Sequence, residues 1–210
     1  MSNLFNSISL KVPKQNRFNL SHDVKLTAKF GKLTPILVQD VLPGDVFKLN
    51  SEVLVRLAPM VAPIMTRCDV YTHFFFVPKR LVWDNFKDFI TGGEDGLQSP
   101  SYPRFNLDQA YANIAKTEGL FNTGSLADYL GFPVLTHGQG VPASTNGLLV
   151  DLLPFRAYQL IYNEYYRDQN LTDPIEINKD QDGIIQDRNT LMNLFTLRNR
   201  SWHRILYSCL

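Results

Sequence analysis

Between Pro35 and Val77 the apolar positions follow strand patterns, and after Pro78 they switch to a helical one. "PILVQDVL" (Pro35 to Leu42) is apolar and β-branched. "LPGD" (Leu42 to Asp45) predicts a turn, because Pro43 presets φ and Gly44 tolerates positive φ. In "SEVLVRL" Val53, Val55 and Leu57 alternate with Glu52, Leu54 and Arg56. "APMVAPIM" carries two prolines and predicts an edge or irregular extended segment. The run from Cys68 to Val77 predicts a two-faced strand. Cys68, Val70, Thr72, Phe74 and Phe76 share one face; Asp69, Tyr71, His73, Phe75 and Val77 share the other. The first face is largely apolar and the second becomes so toward its end, so this strand should start half exposed and finish covered.

Beyond Pro78, Val82, Phe86, Phe89 and Ile90 fall on one helical stripe with Trp83 beside it, while Asp84, Lys87 and Asp88 lie away from it. This predicts a helix from Lys79 to Ile90, ended by Gly92 and Gly93. Phe74, Phe76, Trp83, Phe86 and Phe89 are the expected packing or interface anchors of the strand–helix unit. Residues 91–106 read as loop and Leu107 to Lys116 as a short helix. "SLADYLG" predicts a short helix with Ser125 as N-cap and Gly131 as stop. Residues 131–154 form a Gly/Pro/Thr-rich loop. "PFRAYQLIYNEYYRD" predicts the clearest helix, starting at Pro154, with Tyr158, Ile161, Tyr162 and Tyr165 on one stripe. Tyr158, Tyr162 and Tyr165 join the packing or interface candidates. Residues 168–190 read as polar loop or short strands. The pattern is mainly β, a strand framework interrupted by long helix-bearing excursions, and such excursions in a compact domain are usually functional surfaces.

A chain of 210 residues suits one large domain and can bury a sizeable core. Hydrophobic residues at 44% and charged residues at 20% place it in the globular class. Aromatic residues reach 12%, with 14 Phe and 9 Tyr, which implies extensive packing inside the chain or between chains. A net charge of +1 gives no global pull toward nucleic acid or membrane. The charge is uneven, however. Residues 1–34 hold Lys11, Lys14, Arg17, Lys25, Lys29 and Lys32 against Asp23 alone, a basic N-terminal arm able to neutralise phosphates or simply to be solvated. No apolar run reaches the ~18–20 residues of a membrane span. Cys68 and Cys209 lack metal-type spacing, so a reduced compartment is the default.

Catalytic motifs are scarce. There is no phosphate-binding glycine loop, no HExxH and no GxSxG. His22, His73, His137 and His203 have no ligand-like spacing. Cys68 points opposite to Asp69 and His73 on a strand, so the three cannot form a nucleophile–base set, and His73 reads as a core or interface residue. "HGQG" (His137 to Gly140) reads as a turn. Asn178, Asp180, Asp182 and Gly183 match positions 1, 3, 5 and 6 of a calcium loop, but Asn178 replaces the first Asp and Asn189 the final bidentate Glu, so a polar surface loop competes with a metal site. The pairs Glu94/Asp95 and Asp180/Asp182 lie in polar loops. No enzyme assignment follows, and no cofactor is called for.

Several longer stretches carry a resemblance. "FNLSHD" (Phe18 to Asp23), "LPGD", "APMVAP" (Ala58 to Pro63), "DVYTHFFFVPKRLVWDNFKDFITGG" and "LPFRAYQLIYNEYYRDQNL" (Leu153 to Leu171) occur in the order found in major capsid proteins of the Microviridae, and the chain resembles the gokushovirus branch over about residues 15–202. The resemblance implies a viral jelly roll, an eight-stranded antiparallel sandwich with large loop insertions at about residues 79–200. It implies a structural virion component: many copies closing into a T=1 icosahedral shell around circular single-stranded DNA, assembled in the host cytoplasm with other virion or scaffolding proteins. Lys11, Lys14, Arg17, Lys25 and Lys29 then become the DNA-contact candidates. Family members are longer. Where they continue into further strands after "LRNRSW", this chain reads "HRILYSCL" to Leu210, so residues 35–210 are expected to hold a partial, truncated jelly roll. The competing expectation is a jelly-roll module that binds a ligand or single-stranded nucleic acid without being a shell component.

Overall fold

The computed structural model describes residues 16–107, 121–132 and 148–201. All but the first residue of the helix expected from Leu107 to Lys116 lies outside them, as do the "HGQG" turn, Lys11, Lys14, His203 and Cys209.

The described residues separate into a packed helical module and a long extended strap. Within the module, two three-residue strands, β1 (Arg104–Asn106) and β2 (Leu149–Asp151), pair antiparallel with Phe105 opposite Val150. Arg104 also bridges Ile184: its N–H donates to Gly183 O at 2.8 Å, and its carbonyl accepts from Ile185 N–H at 2.8 Å. Both strands fall in stretches that read as loop, because three residues are too few to display a period.

Helix α1 (Phe86–Thr91) follows a 3-10 turn (Lys79–Leu81). The single helix expected over Lys79 to Ile90 is therefore broken at Val82 to Asn85. Tertiary bonds account for the break. Asp84 N–H donates to Lys179 O at 3.1 Å, Trp83 Nε1 donates to Asp182 Oδ1 at 2.5 Å, and Asn85 Nδ2 donates to Asp182 Oδ2 at 2.8 Å. Helix α2 (Leu126–Tyr129) starts as expected, with Ser125 Oγ accepting from Asp128 N–H at 3.3 Å, and it ends at Gly131 with φ +89°. Helix α3 (Leu153–Ile161) runs into a π-helical turn (Tyr162–Tyr166). Helix α4 (Arg188–Phe195) was not anticipated. Asp187 caps it, with Oδ2 accepting from Thr190 N–H at 2.9 Å and from Thr190 Oγ1 at 2.7 Å.

The main core is built from Phe105, Phe121, Leu126, Leu152, Phe155, Leu191, Leu194 and Phe195. Phe155 meets Phe195 edge to face at 4.4 Å between centroids, and Phe195 meets Phe105 at 5.1 Å. A second cluster joins Val82, Trp83 and Leu153, flanked by Phe86, Tyr102 and Leu160.

Helix α3 carries an unexpected core face. Leu152, Phe155, Arg156, Gln159 and Tyr162 are buried, so the inner stripe includes two polar side chains. Gln159 Nε2 donates to Leu194 O at 2.7 Å and Thr196 O at 3.0 Å, while its Oε1 accepts from Arg198 Nε at 2.9 Å. Arg156 donates to Val82 O and Gln181 O, each at 3.2 Å. Burial lowers its basicity, against the opposing pull of Asp180, Asp182, Asp151 and Asp84.

Candidate assembly surface

Residues 16–81 contain no buried position. Within this strap twenty-five large hydrophobic side chains, from Phe18 to Phe76, are exposed, with Leu54 and Met65 at 90%. The strand-like alternation of residues 35–77 is present, but the described residues supply no ladder for it; Lys32 to Asn199 is the one isolated bridge the strap makes among them. The "LPGD" turn forms as expected, with Asp45 N–H donating to Leu42 O at 3.1 Å and Gly44 at φ +92°.

The strap is held at a few points. Tyr129 Oη donates to Thr27 O at 2.6 Å. Around Lys32, Leu33 N–H donates to Arg198 O at 3.0 Å and Arg200 N–H donates to Gly31 O at 2.7 Å. Tyr158 Oη donates to Leu33 O and accepts from Arg198 N–H, both at 2.9 Å; burial pushes its pKa up to about 12. Farther along, His73 Nδ1 lies 2.6 Å from Tyr166 Oη. Tyr71, His73 and Phe75 form an aromatic cluster with Tyr165 and Tyr166, capped by Arg200 at 5.9 Å from the Tyr71 ring.

The faces of the 68–77 run are thus used differently from the expectation. Its mixed face packs on the π-helical turn, while Phe74 and Phe76 are 55% and 75% exposed. Trp83 is fully buried, with Tyr102 at 5.2 Å, Phe89 at 5.3 Å and Phe86 at 6.2 Å around it. Phe86 is half-buried and Phe89 exposed at its outer edge. Tyr162 is buried, Tyr158 partly so, and Tyr165 is 60% exposed in the His73 cluster.

Arg17, Lys25 and Lys29 are exposed along the strap and make no ion pair among the described residues. Of the calcium-loop candidates Asn178, Asp180 and Asp182, the last is engaged by side chains from the other end of the module. Asp182 gives both oxygens to Trp83 and Asn85, and the cation inside this loop is the Arg156 guanidinium. Among the described residues no group of three or more His, Cys, Asp or Glu is placed to hold a metal. Asp69 pairs with Arg67 at 2.6 Å and His73 with Tyr166, while Cys68 Sγ lies 3.9 Å from Thr66 O. No described helix is long and apolar enough to cross a membrane. Arg156 and Gln159 were missed in the sequence, although their spacing from Leu152 and Phe155 is that of a core face.

The described residues thus leave an apolar, strand-patterned strap open beside a packed module. The sequence profile of the family described as capsid protein (F protein) matches residues 9–210, and the chain belongs to that family. It is 36% identical over 177 residues to the capsid protein VP1 of Chlamydia phage 1, covering 84% of this chain. It is 39% identical over 165 residues to the capsid protein VP1 of Bdellovibrio phage phiMH2K, covering 79% of this chain. The capsid protein VP1 of Spiroplasma virus 4 is 28% identical over 158 residues, 75% of this chain. The matched part spans 28% of the first two relatives and 26% of the third.

Proposed function

We propose that this chain is part of a shell subunit. Copies associate through strap and module surfaces into a T=1 icosahedral shell enclosing circular single-stranded DNA. Assembly takes place in the host cytoplasm with other virion or scaffolding proteins, and the product is the virion. The role is structural and involves no turnover. The strap supplies strands of a jelly roll whose partner strands lie outside the described residues. Arg17, Lys25 and Lys29, with Lys11 and Lys14, contact packaged DNA through phosphates.

The observation that carries this reading is the family match over residues 9–210 together with twenty-five large apolar side chains left open between Phe18 and Phe76. Monomeric soluble proteins rarely leave contiguous apolar patches beyond a few hundred Å² uncovered. Sedimentation velocity over a wide concentration range should reveal self-association, and binding to a single-stranded oligonucleotide should weaken as salt rises. A chain that stays monomeric throughout, or DNA affinity indifferent to salt, would refute the corresponding part.

A further inference from the structure

A groove of about 410 Å³ lies between the 3-10 turn and α1. Pro78, Phe86 and Ile90 form its apolar floor, and Lys79, Arg80 and Lys87 rim it. Lys79 already leans toward Asp40 at 3.6 Å, whereas Arg80 and Lys87 make no ion pair among the described residues. A basic rim around an apolar floor fits an acidic segment that carries one apolar side chain.

The same chain presents such a segment directly after α1. Residues 92–98 form a closed tip, with Gln98 N–H donating to Gly92 O at 2.8 Å. Gly92, Gly93 and Gly96 have φ of +80°, +74° and +70°, and a Cβ on Gly93 would sit 2.6 Å from the Gln98 side chain. The glycines allow the tight left-handed turns that close this tip. The tip exposes Glu94 and Asp95, neither in an ion pair among the described residues, and Leu97 at 88% exposure. None of these tip residues lines the chain's own groove.

We propose that the Glu94–Asp95–Leu97 tip of one copy docks into the Lys79/Arg80/Lys87 groove of a second copy. Leu97 covers Phe86 and Ile90, while the two carboxylates face Arg80 and Lys87. Tip and groove lie next to each other on one stretch of chain, so the contact either closes reciprocally about a two-fold axis or runs head to tail. It deepens the shell-subunit reading and rests on it. Single-stranded DNA is the weaker occupant: base stacking needs open aromatic faces, and this floor offers one half-buried phenyl ring.

The test uses the chain with two paired charge reversals, Arg80→Glu with Lys87→Glu and Glu94→Lys with Asp95→Lys, and with all four combined. Far-UV circular dichroism checks that each variant is folded. Each pair should raise the self-association Kd by about tenfold, as expected for losing two exposed ion pairs and gaining repulsion. The fourfold swap should recover most of that loss. In a mixture of 14N and 15N chains, carbodiimide should join Lys87 to Glu94 or Asp95 across isotopes. Association that persists unchanged in either paired variant, a swap no better than its parents, or cross-links confined to one isotope would overturn this contact while leaving the shell reading standing. A groove variant that loses oligonucleotide binding with unchanged association would assign the groove to nucleic acid instead. A monomer at every concentration would remove both readings.

Discussion

Truncating Trp83 to alanine removes a side chain that joins α1, Tyr102 and the 178–183 loop. The indole is fully buried and its Nε1 donates to Asp182. Full truncation of a buried aromatic costs about 3–5 kcal/mol, a large fraction of the ~5–15 kcal/mol that holds a domain together. Trp83→Phe separates packing from hydrogen bonding. It keeps most of the ring volume, and Asp182 retains Asn85 as a donor at 2.8 Å, so its cost should be about 1 kcal/mol. Phe86→Ala should fall between, at about 1–2 kcal/mol, because that ring is only half-buried. Urea unfolding followed by far-UV circular dichroism at low protein concentration measures all three without relying on indole fluorescence. A Trp83→Ala cost under about 1 kcal/mol would refute the packing argument. Equal costs for Trp83→Ala and Trp83→Phe would move the stabilisation onto the Asp182 bond.

Arg156→Met should destabilise by about 2–4 kcal/mol, since it strips Val82 O and Gln181 O of their donor, and Arg156→Lys should recover less than half of that in the same urea assay. Millimolar calcium should leave the wild-type melting temperature unchanged, and a clear rise would restore the 178–183 loop as a calcium site. Tyr158→Phe should speed hydrogen exchange at residues 31–33 and 198–200 while sparing the amides of α3; uniform acceleration would mean that Tyr158 supports the module and not the strap. Asp151 is raised above the ordinary carboxylate range by burial, against the pull of Leu153 N–H, the Tyr102 hydroxyl and Lys79. Its folded state holds the proton more tightly, so its contribution is complete below the unfolded pKa of about 3.9 and is lost as pH climbs through the raised folded value. Asp151→Asn should flatten that part of the profile of urea midpoint against pH, and an unchanged slope would remove the assignment.

Local chemistry was legible wherever a short motif decides it. The Leu42–Asp45 turn, the Ser125 cap and the body of α3 follow from residues that act on their immediate neighbours. Helix α4 escaped because its apolar residues, Leu191, Leu194 and Phe195, crowd its second half behind a polar start, leaving too few turns for a period. Asp187 ahead of Thr190 was the available signal. The break in the helix expected after Pro78 comes from Lys179 and Asp182, nearly a hundred residues away, and no window centred on Trp83 contains them. The strap is a third case. Its alternation was readable, yet alternation says that a residue suits a sheet and not which strand pairs with it.

That missing pairing information bears on how the chain can work. The strap is attached among the described residues by the Tyr129, Tyr158 and His73 bonds, the short bridge at Lys32, the Asp40–Lys79 ion pair, one aromatic cluster and the packing of Val77 on the Val82–Trp83–Leu153 cluster. Each hydrogen bond is worth about 1 kcal/mol net, so together they set where the strap enters and leaves without burying its side chains. The Phe105–Phe155–Phe195 module, by contrast, is fastened by burial. A strap already sunk into its own core would have to be pulled out before it could pair elsewhere, at a cost in apolar area comparable to the gain. A strap tethered by a handful of contacts keeps much of its apolar area open. The apolar area left uncovered within the chain is then available to drive a contact with another surface.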